Sequence, residues 1–196
     1  ISVSGGELSN FAASSSTVYT ATFTPTADST TDGVISVDDT KFSDSAGNEN
    51  ADGSEDNNTL TLSVDTVLPT LESSIPADNA TAVATDSNIV LNFSEAVNVG
   101  NGNIVIYKAS DDSEVETFNV ASSGLISGSG STQITINPSS DLEEQTEYYV
   151  QIAATAFDDV NGNSFAGISD TTTLSFTTAD ETAPTIAITS DASSLK

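Results

Sequence analysis

The side chains able to do chemistry in this 196-residue chain are almost all carboxylates: 29 Asp and Glu stand against three Lys, with no Arg, His or Cys. Acids support two kinds of site. Paired carboxylates serve as acid and base in glycoside hydrolysis, and clustered carboxylate, amide and carbonyl oxygens hold hard cations such as calcium. The adjacent pairs Asp111–Asp112, Glu143–Glu144 and Asp158–Asp159 are the candidates for catalysis. Each falls in a loop among other acids, and the chain has no Trp to form a sugar platform. The expectation is therefore a non-enzymatic protein. Without His or Cys there is no catalytic triad, no thiol nucleophile, and no ordinary zinc, haem or iron–sulfur site. The formal net charge of −26 opposes contact with nucleic acid or anionic lipid. No stretch approaches the ~20 apolar residues of a membrane-spanning helix, so direct membrane insertion is not expected. Calcium is the use left for the acids.

The elements that must position these acids read as strands. Period-2 alternation recurs at Val18–Thr24, Gly33–Val37, Thr59–Val64, Asn88–Phe93, Asn103–Tyr107, Glu114–Phe118, Gln133–Ile136, Tyr148–Ile152 and Thr173–Phe176. Clusters of Gly, Asn, Asp and Ser separate them, at the short spacing of an antiparallel sandwich. No segment sustains a 3.6-residue apolar period; Asp141–Glu144 has room for one helical turn. With 36% hydrophobic residues arranged in these runs, the chain can bury a core, which a disordered acidic tail cannot.

An internal repeat organises the chain. Phe42-Ser43-Asp44-Ser45-Ala46-Gly47-Asn48 matches Phe157-Asp158-Asp159-Val160-Asn161-Gly162-Asn163 as F-x-D-x-x-G-N. Asp65-Thr66-Val67-Leu68-Pro69-Thr70 matches Asp180-Glu181-Thr182-Ala183-Pro184-Thr185 as D-x-x-x-P-T. Both pairs lie 115 residues apart, and each D-x-x-G-N begins 21 residues before its D-x-x-x-P-T. Two motifs in one ungapped register indicate tandem units joined near Asp65–Pro69 and Asp180–Pro184, where proline stiffens the linker.

On these residues the chain resembles the tandem bacterial immunoglobulin-like extender domains of giant secreted adhesins, of the RTX and biofilm type. Further carriers are Gly5–Phe11, Ala21–Pro25, Pro76–Thr81, Phe93-Ser94-Glu95-Ala96-Val97 and Tyr148-Tyr149-Val150. The resemblance implies an all-β protein of tandem immunoglobulin-like antiparallel β-sandwiches. Residues 1–66 are then the C-terminal part of one domain, 67–181 a complete domain, and 182–196 the first strand of the next. It further implies secretion to the bacterial cell surface and a role as a stalk, with neighbouring repeats of the same chain as partners. A ligand-binding adhesin module, using Asn98–Gly102 or Ser122–Ser131, and a fibre subunit assembling by strand exchange are the alternatives.

In such a unit the chain enters at one end and leaves at the other. The D-x-x-G-N turn of the second unit should therefore face the Asp65 linker. Asp158, Asp159, Asn161 and Asn163 would meet Asp65 there, with Asp28 and Asp32 arriving from the loop Ala27–Gly33 of the first unit. These oxygens, with backbone carbonyls, can fill the six to eight positions around calcium. Asp141, Glu144 and Asp180 would serve the next junction, beside Glu143, Glu181, Asp111 and Asp112. Asp44 and Asn48 would serve the one above. D-x-x-G-N is also a sound turn in itself, with Asp capping it and Gly at positive φ. Neither an EF-hand loop nor the G-G-x-G-x-D nonapeptide occurs, so a calcium site would be composite.

The ends carry one more expectation. Residues 1–64 lack opening strands, and Ala183–Ser190 has the alternation of one. Either the chain continues at both ends, or the end of one copy docks on the half-domain of another.

Overall fold

The computed structural model describes residues 1–51 and 57–188. Residues 189–196, which include Thr189 and Ser190 of the expected opening strand, lie outside the described residues. Among the described residues the chain is all-β, with fifteen strands and no helix. Asp141–Glu144 forms no helical turn. Its backbone donors are used across the fold rather than along the segment: Leu142 N–H donates to the Thr85 carbonyl (2.9 Å) and Glu143 N–H to the Tyr148 hydroxyl (2.9 Å). The latter is the tyrosine corner of immunoglobulin-like sandwiches.

The first unit holds β1 (Ser2–Ser4), β2 (Gly6–Ala13), β3 (Tyr19–Pro25), β4 (Gly33–Ser36) and β5 (Thr59–Leu62). They form a three-stranded sheet ordered β1-β4-β5 and a β2–β3 hairpin, all antiparallel. The two sheets leave one apolar face open. Phe11, Tyr19, Phe42 and Leu60 are all more than half exposed.

The second unit is closed. It holds β6 (Leu71–Ile75), β7 (Ala80–Val83), β8 (Ile89–Val99), β9 (Asn103–Lys108), β10 (Ser113–Asn119), β11 (Ile126–Ser127), β12 (Ser131–Ile136), β13 (Glu147–Ile152), β14 (Phe157–Asp158) and β15 (Ser175–Thr178). One sheet runs β10-β9-β13-β15-β7; the other runs β11-β12-β8-β14, with β6 also on β8. The opening stretch is thus shared between sheets. β6 pairs antiparallel with β8, and β7 pairs parallel with β15. Alternation dictates the filling. Ile89, Leu91, Phe93 and Val97 on β8 face Ile104 and Ile106 on β9 and Tyr148, Val150 and Ile152 on β13 in one core. Phe93 packs its ring at 5.3 Å against both Phe157 and Phe165, the second edge-on. This brings the segment 157–165 against the middle of β8.

Candidate metal centre

Three elements converge where the two units meet. The first is the linker. Thr66 N–H donates to the Ser29 carbonyl (3.0 Å), Ser29 N–H donates to Thr66 Oγ1 (3.0 Å), and that hydroxyl donates to the Thr26 carbonyl (2.8 Å). The loop after β3 therefore grips the linker from the first unit. Asp65 turns the chain by accepting the Val67 N–H on Oδ1 (3.1 Å).

The second element is the turn after β14. Asp159 Oδ1 accepts the N–H groups of Asn161 and Asn163 (both 2.8 Å), and Oδ2 accepts the Asn163 side-chain amide (2.8 Å). Gly162 closes the turn at φ +91°, a conformation that suits glycine. The loop then reaches the linker. Asn161 Nδ2 donates to Asp65 Oδ2 (2.8 Å) and Asn163 Nδ2 to the Asp65 carbonyl (3.2 Å).

The third element is β8. On one edge it pairs with β6 from Val90 to Phe93 and then with β14 at Asn98 and Val99, while β12 follows its other edge from Ile89 to Val97 across a bulge. Glu95 lies between the β6-paired and β14-paired stretches. Thr70, just past the linker, is tied to this point by exchange with Ser94: Thr70 N–H donates to Ser94 Oγ (3.0 Å) and Ser94 N–H to the Thr70 carbonyl (2.9 Å). Glu95, Asp65 and Asp159 each place a carboxylate oxygen within 4.8 Å of the other two. Asp159 is 3% exposed.

Three carboxylates so close repel one another. Burial is the main cause that pushes the Glu95 carboxyl above its ordinary range, and the charges of Asp159 and Asp65 add to it. Burial also pushes Asp159 up, but the donors from Asn163, Asn161 and Gly162 outweigh it and hold that carboxyl below its ordinary range. Among the described residues no lysine pairs with any of the three; Lys108 is bound to Glu143 (2.5 Å). The donor set is all oxygen and formally trianionic, which fits a hard divalent cation and no soft one.

The structure brings Asp65, Asp159, Asn161 and Asn163 together and adds Glu95, which sequence reading passed over. The signal for Glu95 was available. In Phe93-Ser94-Glu95-Ala96-Val97 it holds an inward position of an alternating strand, between two buried apolar residues, where a carboxylate needs a partner. Other expected ligands lie elsewhere. Asp158 accepts the Ser164 hydroxyl (2.5 Å) and faces Gly100. Asp28 and Asp32 do not join the group, because their loop meets the linker through its backbone instead. Asp44 Oδ1 accepts the N–H groups of Ala46 and Asn48, and Oδ2 the Asn48 amide; this is the Asp159 turn again, with Gly47 at φ +86°. At the far end Asp180 Oδ1 accepts the Thr182 N–H (3.1 Å), repeating the Asp65 turn. Glu144 accepts Glu181 N–H and the Thr182 hydroxyl, and Glu181 binds Thr85. Asp141, Glu144 and Asp180 do not converge as a three-acid group among the described residues.

This is a sandwich module with an acidic cluster at its leading end, in tandem with a second, open module. A family model described as bacterial Ig-like domain matches residues 65–178, and another of the same description matches residues 1–61. The chain belongs to the bacterial Ig-like domain family. No curated protein matches it significantly. Two solved structures of the bacterial S-layer protein SbsC are similar over 58% of this chain, with a TM-score of 0.39 in each case. Identities are 17% and 18%, and the aligned regions span 14% and 24% of those chains.

Proposed function

We propose that this chain is a non-enzymatic stalk segment of a larger secreted, cell-surface bacterial adhesin, stiffened by calcium where its units meet. The observation that carries the reading is the Asp65 linker. It is hydrogen-bonded to the first unit through Thr66 and to the second through Asn161 and Asn163, and it supplies one of three carboxylates gathered within 4.8 Å. A cation there would be held by Asp65, Glu95 and Asp159, with Asn161, Asn163 and carbonyls as further oxygens. It would replace mutual repulsion by a crosslink between linker and second unit. A spacer needs such stiffness, and Ig-like families are typically structural modules.

X-ray scattering tests this. With calcium the particle should be longer and narrower than in chelator, and equal dimensions would overturn a stiffening role. Extracellular calcium modules bind at about 10⁻⁴–10⁻³ M. Calorimetric titration should find one site in that range, and Asp65→Ala should abolish it while leaving the second sandwich folded.

A further inference from the structure

Tension on a spacer enters the second unit through the linker at Asp65 and leaves it at Asp180, so the strands next to those two points decide how the unit resists it. β6 and then β7 follow the linker, and β15 ends at Thr178, just before Asp180. β7 and β15 are neighbours and run parallel, with Phe176 opposite Ala80 and Thr178 opposite Val83. β7 is an outer strand of its sheet, and its sequence Ala-Thr-Ala-Val has little to bury: Thr81 and Ala82 are exposed, and Ala80 and Val83 are only partly covered. What ties it down is polar. Asn79 N–H donates to the Ser175 carbonyl (2.8 Å) and Ala179 N–H to the Val83 carbonyl (2.7 Å). Beyond each end of the pair a carboxylate joins the two segments. Asp78 Oδ1 accepts the Ser175 N–H (3.0 Å) and hydroxyl (3.1 Å). Glu181 accepts the Thr85 N–H on Oε1 (3.2 Å) and the Thr85 hydroxyl on Oε2 (2.8 Å). Ser175 and Thr85 are both buried, which keeps water from competing for these bonds.

We infer that the β7–β15 pair, riveted by Asp78 at one end and Glu181 at the other, is a mechanical clamp that carries tension through the second unit. Its use rests on the stalk reading; its geometry does not. Tension from Asp65 reaches β7 at its amino-terminal end, and tension from Asp180 reaches β15 at its carboxy-terminal end. In a parallel pair those ends lie at opposite ends of the ladder, so the two strands are drawn past each other. The inter-strand bonds run across that direction, and all of them, with both carboxylate ties, must give together. Pulled apart from one end, the same pair would open one bond at a time. β6 lies earlier on the path, held antiparallel on β8, and its release passes the tension on to β7.

Single-molecule force spectroscopy of the full chain tests this, in chelator, so that the calcium reading of the junction can fail without deciding the result. The chain has no cysteine, and handles can be attached at exposed positions. Leu68→Cys with Ala183→Cys loads the strand pair in shear. Asp86→Cys with Ala183→Cys loads it from the Thr85–Glu181 end alone. The rupture force should be several-fold higher in the first arrangement. Asp78→Ala removes two charge-assisted bonds and should speed unfolding at constant force about tenfold in shear. It should leave the one-ended arrangement unchanged, because there the Thr85–Glu181 tie breaks first. Asp78→Asn keeps the accepting oxygen and should retain the resistance, and Thr85→Val should weaken the one-ended arrangement. Equal rupture forces in the two arrangements would overturn the clamp. So would an equal effect of Asp78→Ala in both, which would mark a general loosening of the sandwich.

Discussion

Glu95 and Asp159 share one cluster, yet their carboxyls move in opposite directions, and that difference sets the pH behaviour of the metal-free protein. Glu95 binds its proton more tightly folded than unfolded. Its contribution therefore makes stability fall as pH rises through the window above the ordinary Glu range. Asp159 binds its proton less tightly folded, so its stabilisation is full above the ordinary Asp range and lost as pH falls below it. Asp170 behaves like Asp159. The Thr172 N–H, then the Thr173 hydroxyl and N–H, hold it down to about 2. Its contribution fades between an unfolded value of about 4 and about 2. Urea unfolding in chelator should show stability rising from about pH 2 and then declining on the Glu95 limb. Glu95→Gln should remove that decline, raise metal-free stability, and weaken calcium binding. Asp159→Ala should cost about 1–2 kcal/mol, since it removes the acceptor shared by the part-buried N–H groups of Asn161 and Asn163. Asp65, Asp159 and Asn163 were legible because a repeated motif and a repeated linker placed them. Glu95 was not, because it sits inside a strand, where a search for acidic loops does not look.

At the scale of elements, one seven-residue motif builds the same turn twice. Gly47 and Gly162 hold φ near +90° with nothing within 4 Å of the position a Cβ would take. Alanine at either site is therefore strained by backbone conformation alone. Gly162→Ala and Gly47→Ala should each cost about 1 kcal/mol. Only Gly162→Ala should also loosen the linker contact, seen as faster amide exchange at Thr66. The long, strongly alternating strands β9, β10, β12 and β13 were legible, because half-buried sheet writes its period into sequence. The strands that were not are short or carry little apolar alternation. β7 is Ala-Thr-Ala-Val, and β11 and β14 have two residues each; their pairing is set by the tertiary frame. β8 extends beyond the expected Phe93 because one of its edges passes from β6 to β14 around Glu95, a switch that only the folded sheet defines.

At the scale of the molecule, burial is unevenly divided. The second unit encloses Leu91, Ile106 and Ile134 completely; the first leaves its large side chains in contact with water. As a monomer the chain should unfold in two steps, with amides of β4 and β5 exchanging well before those of β13. Leu91→Ala should lower only the second step, by about 3 kcal/mol. This contrast has an outcome for proteolysis. A protease that cuts after lysine finds, within the described residues, just Lys41 and Lys108. Lys41 is exposed beside the open face. Lys108 ends β9, with its ammonium bound to Glu143. Digestion should therefore release a fragment beginning at Phe42 within minutes, while cleavage after Lys108 waits for the second sandwich to open and reports its stability. With only these two lysines among the described residues, trypsin-like enzymes have few places at which to sever this acidic chain.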